Sequence, residues 1–322
     1  MGEYFKIVDV NGQELYEIPM GGAKLIEFFW SLAVGHLLDL FIVSPTALAG
    51  WDKDEWPIEE FPVHRAAPHA SKLLGLANEL LAEIFKWITS VHDAINLCLV
   101  DGALSAVGAP RLRELLDAEL APWTGHRLVC FGDYVRDAGF PPFLADIVAG
   151  LKAAAGFEGS FYRLASKYKK QTFSQEGRWH QVLAGLEKHA GAAGLSGADR
   201  RVFDALLAHL TDCAKRASRA EIDASVVLCN LTRHTYVRGA AVREKYKRGH
   251  PSLGHLLLAH VCWSDDGDFH FKDARYNVTR GPWTGHRFEV TTMGRLRPGI
   301  EWEDGTSAAL ERLNDLWRAT DH

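Results

Sequence analysis

The sequence lacks the patterns by which many enzymes and metal-binding proteins are recognised. Its five cysteines are odd in number, widely spaced and never arranged as C-x-x-C, which argues against a disulfide framework and a structural zinc site. It contains no P-loop and no G-x-G-x-x-G, G-x-S-x-G or H-E-x-x-H pattern, so no motif marks a nucleotide or a catalytic centre. We therefore expect no metal, no cofactor and no catalytic residue, and a role other than catalysis is favoured.

A secretory signal, a membrane span and an excess of positive charge are also missing. The first nine residues do not follow the basic-then-apolar order of a signal peptide. The most apolar run, residues 25–43, contains Glu27, His36 and Asp39, which are costly in a bilayer. A net charge of −5 argues against nucleic acid as a partner, because dedicated nucleic-acid binders are usually basic. We expect a protein of the cytoplasm or the nucleus that contacts no membrane.

The pattern of apolar residues predicts a mixed α+β fold. Residues 4–18 alternate in polarity around Asn11-Gly12, which is typical of a hairpin because both turn residues tolerate positive φ. Residues 46–70 are rich in proline and charge and are predicted to form a connection. Helices are predicted at 23–42, in three segments within 71–120 with a break at 108–110, and at 161–168, 179–190, 198–216, 224–231 and from Thr306 or Ser307 onward. Strands are predicted at 127–131, 255–263 and 287–292.

One hexapeptide occurs twice, as Pro122-Trp-Thr-Gly-His-Arg127 and as Pro282-Trp-Thr-Gly-His-Arg287. Six consecutive identities that include Trp, His and Arg do not readily arise by chance in one chain. An apolar strand is predicted after each copy. The repeat therefore indicates an internal duplication, with two related halves of one αβ domain.

The repeat has two interpretations. In the functional one, arginine binds an anion and histidine transfers protons in one shared pocket. In the structural one, tryptophan packs, glycine permits a tight turn and arginine pairs with a nearby carboxylate. The structural interpretation is favoured, because no acid or nucleophile beside the histidines stands out, and Asp133 after the first copy is replaced by Met293 after the second. The pocket residues would be Trp123, His126, Arg127, Trp283, His286 and Arg287.

Residues 76–100 read LANELLAEIFKWITSVHDAINLCLV and resemble an F-box, a three-helix module, in residue type and spacing. Ala77 stands where that family usually has proline. The resemblance implies docking to the Skp-type adaptor of a cullin ubiquitin ligase, with apolar side chains buried against the partner's helices. The candidate partner-binding residues are Leu76, Leu80, Leu81, Ile84, Phe85 and Ile88. The alternative is three ordinary core helices with apolar faces that point inward.

Most of the chain resembles a family of basidiomycete fungal proteins for which no activity is established. The resemblance rests on the blocks at residues 1–6 and 123–134 and on the second Trp-Thr-Gly-His-Arg-Phe288. Those proteins begin with Met-Gly-Glu-Tyr-Trp-Lys and carry a Trp-Ala-Gly-Asp-Arg…Gly-Asp-Tyr block. Here Phe5 replaces the tryptophan and His126 replaces the aspartate. Some members carry an F-box-like segment at the same place. If the family's aspartate were a working acid, this chain would have lost it.

These observations predict three parts: an N-terminal hairpin and helix at 1–70, an F-box-like helical segment at 71–120, and an αβ domain at 121–322. The last part continues the first and has a helical middle and the second repeat near 281–292. The favoured function is an interaction adaptor that recruits a target to a cullin-type ubiquitin ligase. The alternative is an enzyme or small-molecule-binding protein with a pocket built from the repeats. An adaptor should expose apolar surface at 76–88.

Overall fold

The computed structural model describes residues 3–16, 24–43, 72–171, 175–195, 197–216, 225–247, 250–265, 277 and 279–320. They confirm the mixed α+β fold. The chain forms two compact units, a sheet unit (Met1–Val43, Trp123–Ser174 and Arg219–His322) and a helical unit (Ser44–Pro122 and Gln175–Ser218). This division differs from the predicted one because residues 175–218 belong with the helices of 71–120. The predicted connection at 46–70 lies outside the described residues.

The elements are numbered along the chain. The strands are β1 (Phe5–Asp9), β2 (Glu14–Tyr16), β3 (Leu128–Gly132), β4 (Lys169–Gln171), β5 (Val226–Asn230), β6 (Thr235–Arg238), β7 (Cys262–Trp263), β8 (Phe288–Thr292) and β9 (Glu303–Asp304). The α-helices are α1 (Leu25–Trp30), α2 (Asn78–Lys86), α3 (Val91–Val100), α4 (Gly102–Leu120), α5 (Pro142–Ala154), α6 (Phe161–Ala165), α7 (Gln175–Ala193), α8 (Gly197–Arg216), α9 (Gly239–Lys245), α10 (Leu253–Val261) and α11 (Thr306–Thr320). Short 3-10 helices cover Leu32–Phe41, Asp137–Gly139 and Met293–Arg295.

The sheet unit contains the same strand arrangement twice. In the first copy β1 lies between β2 and β3, antiparallel to both, and β4 adds to β2 in parallel. In the second copy β5 lies between β6 and β8, again antiparallel to both, and β9 adds to β6 in parallel. The two hairpin turns also agree in backbone conformation, since Gln13 and His234 both take positive φ, 53° and 55°. The internal duplication therefore extends well beyond the hexapeptide.

Each copy pairs in parallel with an edge strand of the other copy's sheet. The 3-10 helix Leu32–Phe41 leads into Ile42, which forms a parallel bridge to Val290 in β8. Likewise α10 leads into β7, which pairs in parallel with β3. This reciprocal exchange makes the two sheets depend on each other.

The two exchanged helices approach closely where both carry glycine. A Cβ atom built on Gly254 would lie 2.3 Å from the carbonyl oxygen of Val34 and 3.0 Å from the Cα of Gly35. Both atoms are backbone, which cannot turn aside as a flexible side chain can. Glycine at position 254 is therefore required by this contact.

The helical unit has its own core. Its central side chains come from α3, α4, α7 and α8 and include Leu112, Leu116, Trp179, Phe203 and Leu210, all nearly inaccessible to solvent. A smaller cluster of Leu81, Phe85, Cys98 and Leu104 fixes α2 against the neighbouring helices. None of the helices in the described part of the chain has both the length and the apolarity of a membrane span.

Three secondary-structure predictions are wrong. Residues 224–231, predicted as helix, contain β5, and residues 255–263, predicted as strand, are mainly α10. All residues of both elements are buried, so neither shows the one-sided pattern that separates strand from helix. Helix α4 runs through the predicted break at 108–110 with Pro110 inside it. Gly108 lies so close to the Phe85 ring that a Cβ atom would overlap it.

Candidate functional site

The two hexapeptide copies meet within the sheet unit. The amide N–H of Gly125 donates to the carbonyl of Phe288 (2.7 Å), and that of Gly285 donates to the carbonyl of Leu128 (2.8 Å). The glycines take φ values of 77° and 74°, a region that other residues rarely adopt. Each turn thus donates a hydrogen bond to the first residue of the strand that follows the other turn. The two turns are therefore related by a local pseudo-twofold axis that passes between them.

Each histidine of the repeat binds the residue that ends the first strand of its own copy. The Nδ1 of His126 lies 2.8 Å from Oδ2 of Asp9, and Nδ2 of Asn230 donates to Nδ1 of His286 at 2.9 Å. Asp9 and Asn230 occupy equivalent positions at the ends of β1 and β5. The copies thus share one geometry, but only the first has a carboxylate beside its histidine.

The pKa values of the two histidines are shifted in opposite directions. The hydrogen bond to Asp9 raises the pKa of His126 above its ordinary value. Burial lowers the pKa of His286 to about 4, and the positive charges of Arg233 and Arg127 act in the same direction. His126 therefore keeps its proton to a higher pH than His286 does.

The arginines of the repeat hold the opposite turn. Arg127 and Arg287 face each other as an isolated antiparallel backbone bridge. Arg127 Nη1 donates to the carbonyl of Gly285 (2.9 Å), and Arg287 Nε donates to that of Gly125 (2.7 Å). Within the described residues neither arginine is paired with a carboxylate, so the ion pairs expected from the structural interpretation are not formed there.

The tryptophans of the repeat pack in the core, as the structural interpretation expects. Trp123 is fully buried, lies edge-on to Phe41 and donates through Nε1 to Glu14 at 2.7 Å. Trp283 stacks on His260 with ring centroids 4.0 Å apart. Of the six predicted pocket residues, the structure therefore brings the two histidines and two arginines together around the axis, and it places the tryptophans behind them.

Sequence reasoning missed the partners of the histidines. It found no acid beside them, whereas Asp9 lies at hydrogen-bonding distance from His126. The available signal was the repeat itself: had the match been extended to the strand before each hairpin turn, Asp9 and Asn230 would have stood at equivalent places. The described residues contain no group of His, Cys, Asp or Glu that could hold a metal ion.

The F-box-like helix α2 exposes an apolar stripe, defined here as Leu76, Leu80, Ile84 and Trp87. Leu80 and Ile84 lie about one turn apart on α2, whereas Leu76 precedes the helix and Trp87 follows its last residue. Leu80 and Trp87 are 54% and 85% exposed. The remaining candidate partner-binding residues behave differently: Leu81 and Phe85 are buried in the smaller cluster, and Ile88 is partly buried against it. The helix thus has a core face and a solvent-facing apolar face.

The backbone before the first residue of α2 is compatible with proline. Ala77 precedes the helix with φ −62° and no side-chain cap. Proline has nearly this φ fixed by its ring, so the backbone at this position is compatible with the residue that the F-box family carries. No known protein family, curated protein or solved structure matches this chain, and the F-box resemblance stays a prediction.

Proposed function

We propose that this protein is an F-box-like interaction adaptor whose helical unit docks a Skp-type partner of a cullin ubiquitin ligase. The observation that carries the proposal is the apolar stripe. Single exposed apolar residues are normal on protein surfaces, but four within residues 76–87, on α2 and at its two ends, are the kind of cluster that interaction sites use. The sheet unit would then recruit the target.

The stripe has the anatomy of a docking surface. Its apolar side chains are flanked by exposed polar residues, including Glu79 and the ion pair of Glu83 with Lys86, as in an interface with an apolar centre and a polar rim. Leu81 and Phe85 anchor the other side of α2 in the core, so the stripe is presented by a fixed helix. Burial of each large apolar side chain would contribute roughly 1.5–3 kcal/mol.

The test is the affinity of the full-length chain for a purified Skp-type adaptor, measured by calorimetry. We expect one partner per chain. Leu80→Asp and Ile84→Asp should each weaken binding by roughly tenfold or more, because a charge would enter the centre of the interface. Both residues are exposed, so the variants should keep the wild-type circular dichroism spectrum and melting temperature.

Val100→Asp is the matched control. Val100 is 62% exposed at the end of α3 and is not part of the stripe, so its replacement should leave the affinity unchanged. Phe85 is unsuitable for the test because it is buried, and a charge there would disrupt the core. Absence of binding by the wild type, or equal binding by all three variants, would refute the proposed docking.

A further inference from the structure

The paired arginines form a cationic site that adaptor docking does not use. Arg127 and Arg287 are held side by side on the pseudo-twofold axis by their backbone bridge and by the carbonyls of Gly285 and Gly125. Among the described residues, their other guanidinium N–H groups have no protein acceptor. Arg127 is partly buried and Arg287 is exposed, so these donors border solvent.

Among the described residues, no carboxylate forms an ion pair with either arginine of this pair. Burial lowers the pKa of Arg127, and the positive charge of Arg287 lowers it further. The nearby carboxylates already have partners: Asp9 binds His126, and Glu14 accepts from Trp123 and Gln171.

A third arginine borders the same turn. A Cβ atom built on Gly125 would lie 3.8 Å from Nη2 of Arg287 and 4.0 Å from Nη2 of Arg297. Arg297 is paired with Glu289, so it adds donors rather than net charge. The uncompensated charge next to this turn is therefore that of Arg127 and Arg287.

We propose that Arg127 and Arg287 together bind a small tetrahedral oxyanion, either inorganic phosphate or the phosphate group of a small monoester. Guanidinium forks match phosphate oxygens in geometry and charge, and two forks across the axis can share one anion. The ring of Phe143 is 41% exposed and lies 5.8 Å from the Arg127 guanidinium. It provides an apolar wall for the carbon part of a monoester.

Calorimetry of the full-length chain with sodium phosphate tests the site, with ionic strength held constant by sodium chloride. We expect one phosphate per chain, and a loss of affinity of roughly tenfold or more in Arg287→Gln and in Arg127→Gln. Arg163→Gln is the matched control. Arg163 is an exposed residue of α6 in the same unit, and the same change of charge there should leave phosphate binding unchanged.

A second measurement does not depend on the folding of the variants. In the wild-type protein, saturating phosphate should shift the NMR signals of the His126 and His286 rings, whereas chloride should not. The proposal is overturned if neither the heat of binding nor the change in the histidine NMR signals reaches saturation by roughly 20 mM phosphate, a concentration well above a millimolar dissociation constant. It is also overturned if folded Arg127→Gln and Arg287→Gln both bind like the wild type.

Phenyl phosphate distinguishes the two sources of the anion. Tighter binding of phenyl phosphate than of phosphate, with the difference lost in Phe143→Leu, would support the site and assign it to a monoester. Equal binding of the two ligands would support it as a site for the free ion.

Discussion

At the scale of single residues, the two copies of the repeat differ in the side chain that forms a hydrogen bond with the histidine. The histidines, the arginines and the glycine turns are kept, and the side chain at the end of the first strand is aspartate in one copy and asparagine in the other. Both side chains also accept backbone N–H groups of their own hairpin turn. The exchange of one oxygen for an NH₂ group therefore changes the charge at the histidine and leaves the turn intact.

The two histidines should titrate apart, and reciprocal substitutions should shift their pKa values in opposite directions. In the wild type we expect the His126 ring to titrate above the ordinary value of ~6.5, and the His286 ring at about 4. Asp9→Asn should lower the pKa of His126, and Asn230→Asp should raise that of His286. An NMR pH titration of the two rings measures this, and identical curves for both rings in the wild type would contradict it.

The two histidines, His126 and His286, should change the stability of the folded state with pH in opposite directions. The raised pKa of His126 stabilises the folded state fully below ~6.5, and this stabilisation is lost as pH rises through the folded pKa. The lowered pKa of His286 destabilises the folded state as pH falls from ~6.5 towards 4. Asp9→Asn should therefore reduce the free energy of unfolding more at pH ~6 than at pH ~9. A urea denaturation series at the two pH values tests this; an equal loss at both would be inconsistent with it.

At the scale of elements, local patterns predicted the elements that have a turn signal beside them or one apolar face, and failed for two fully buried elements without such a signal. The Asn11-Gly12 hairpin, the strands after both hexapeptides and the three helices of 78–120 each show periodicity or a turn signal. Strand β5 and helix α10 are buried on all sides, so their sequences lack the polar–apolar periodicity that distinguishes a strand from a helix. The exchange of strands between the copies joins residues far apart in the chain, such as Ile42 and Val290, and no local pattern reports it.

The contact between the exchanged helices should make Gly254 intolerant of a single methyl group. Gly254→Ala would force the backbone at Val34 and Gly35 to move, and we expect the free energy of unfolding to fall by about 1–3 kcal/mol. Gly150→Ala is the control, because Gly150 lies in α5 with open space around it and alanine there should be neutral or add up to ~1 kcal/mol. Urea denaturation gives both values, and equal effects of the two substitutions would argue against the close contact.

At the scale of the whole molecule, the reciprocal exchange has a thermodynamic consequence. Strand β3 is flanked by a strand that follows α10, and β8 is flanked by the residue that follows the 3-10 helix of the first copy. The turns between them are also joined by backbone hydrogen bonds in both directions. Opening either copy therefore breaks pairing in the other, and we expect the two sheets to unfold as one cooperative unit.

Hydrogen exchange under mildly denaturing conditions tests this cooperativity. Ile7→Val removes one methylene from the fully buried centre of β1 and should cost roughly 0.5–1.5 kcal/mol. If the sheets open together, the free energy of opening should fall by the same amount for amides of β5 and β8 as for those of β1 and β3. Ile26→Val, at a 41% exposed position of α1, should change none of them measurably. A loss of protection confined to β1 and β3 would mean that the copies open separately, because a strand held by reciprocal exchange cannot leave its own sheet without disturbing its neighbour's.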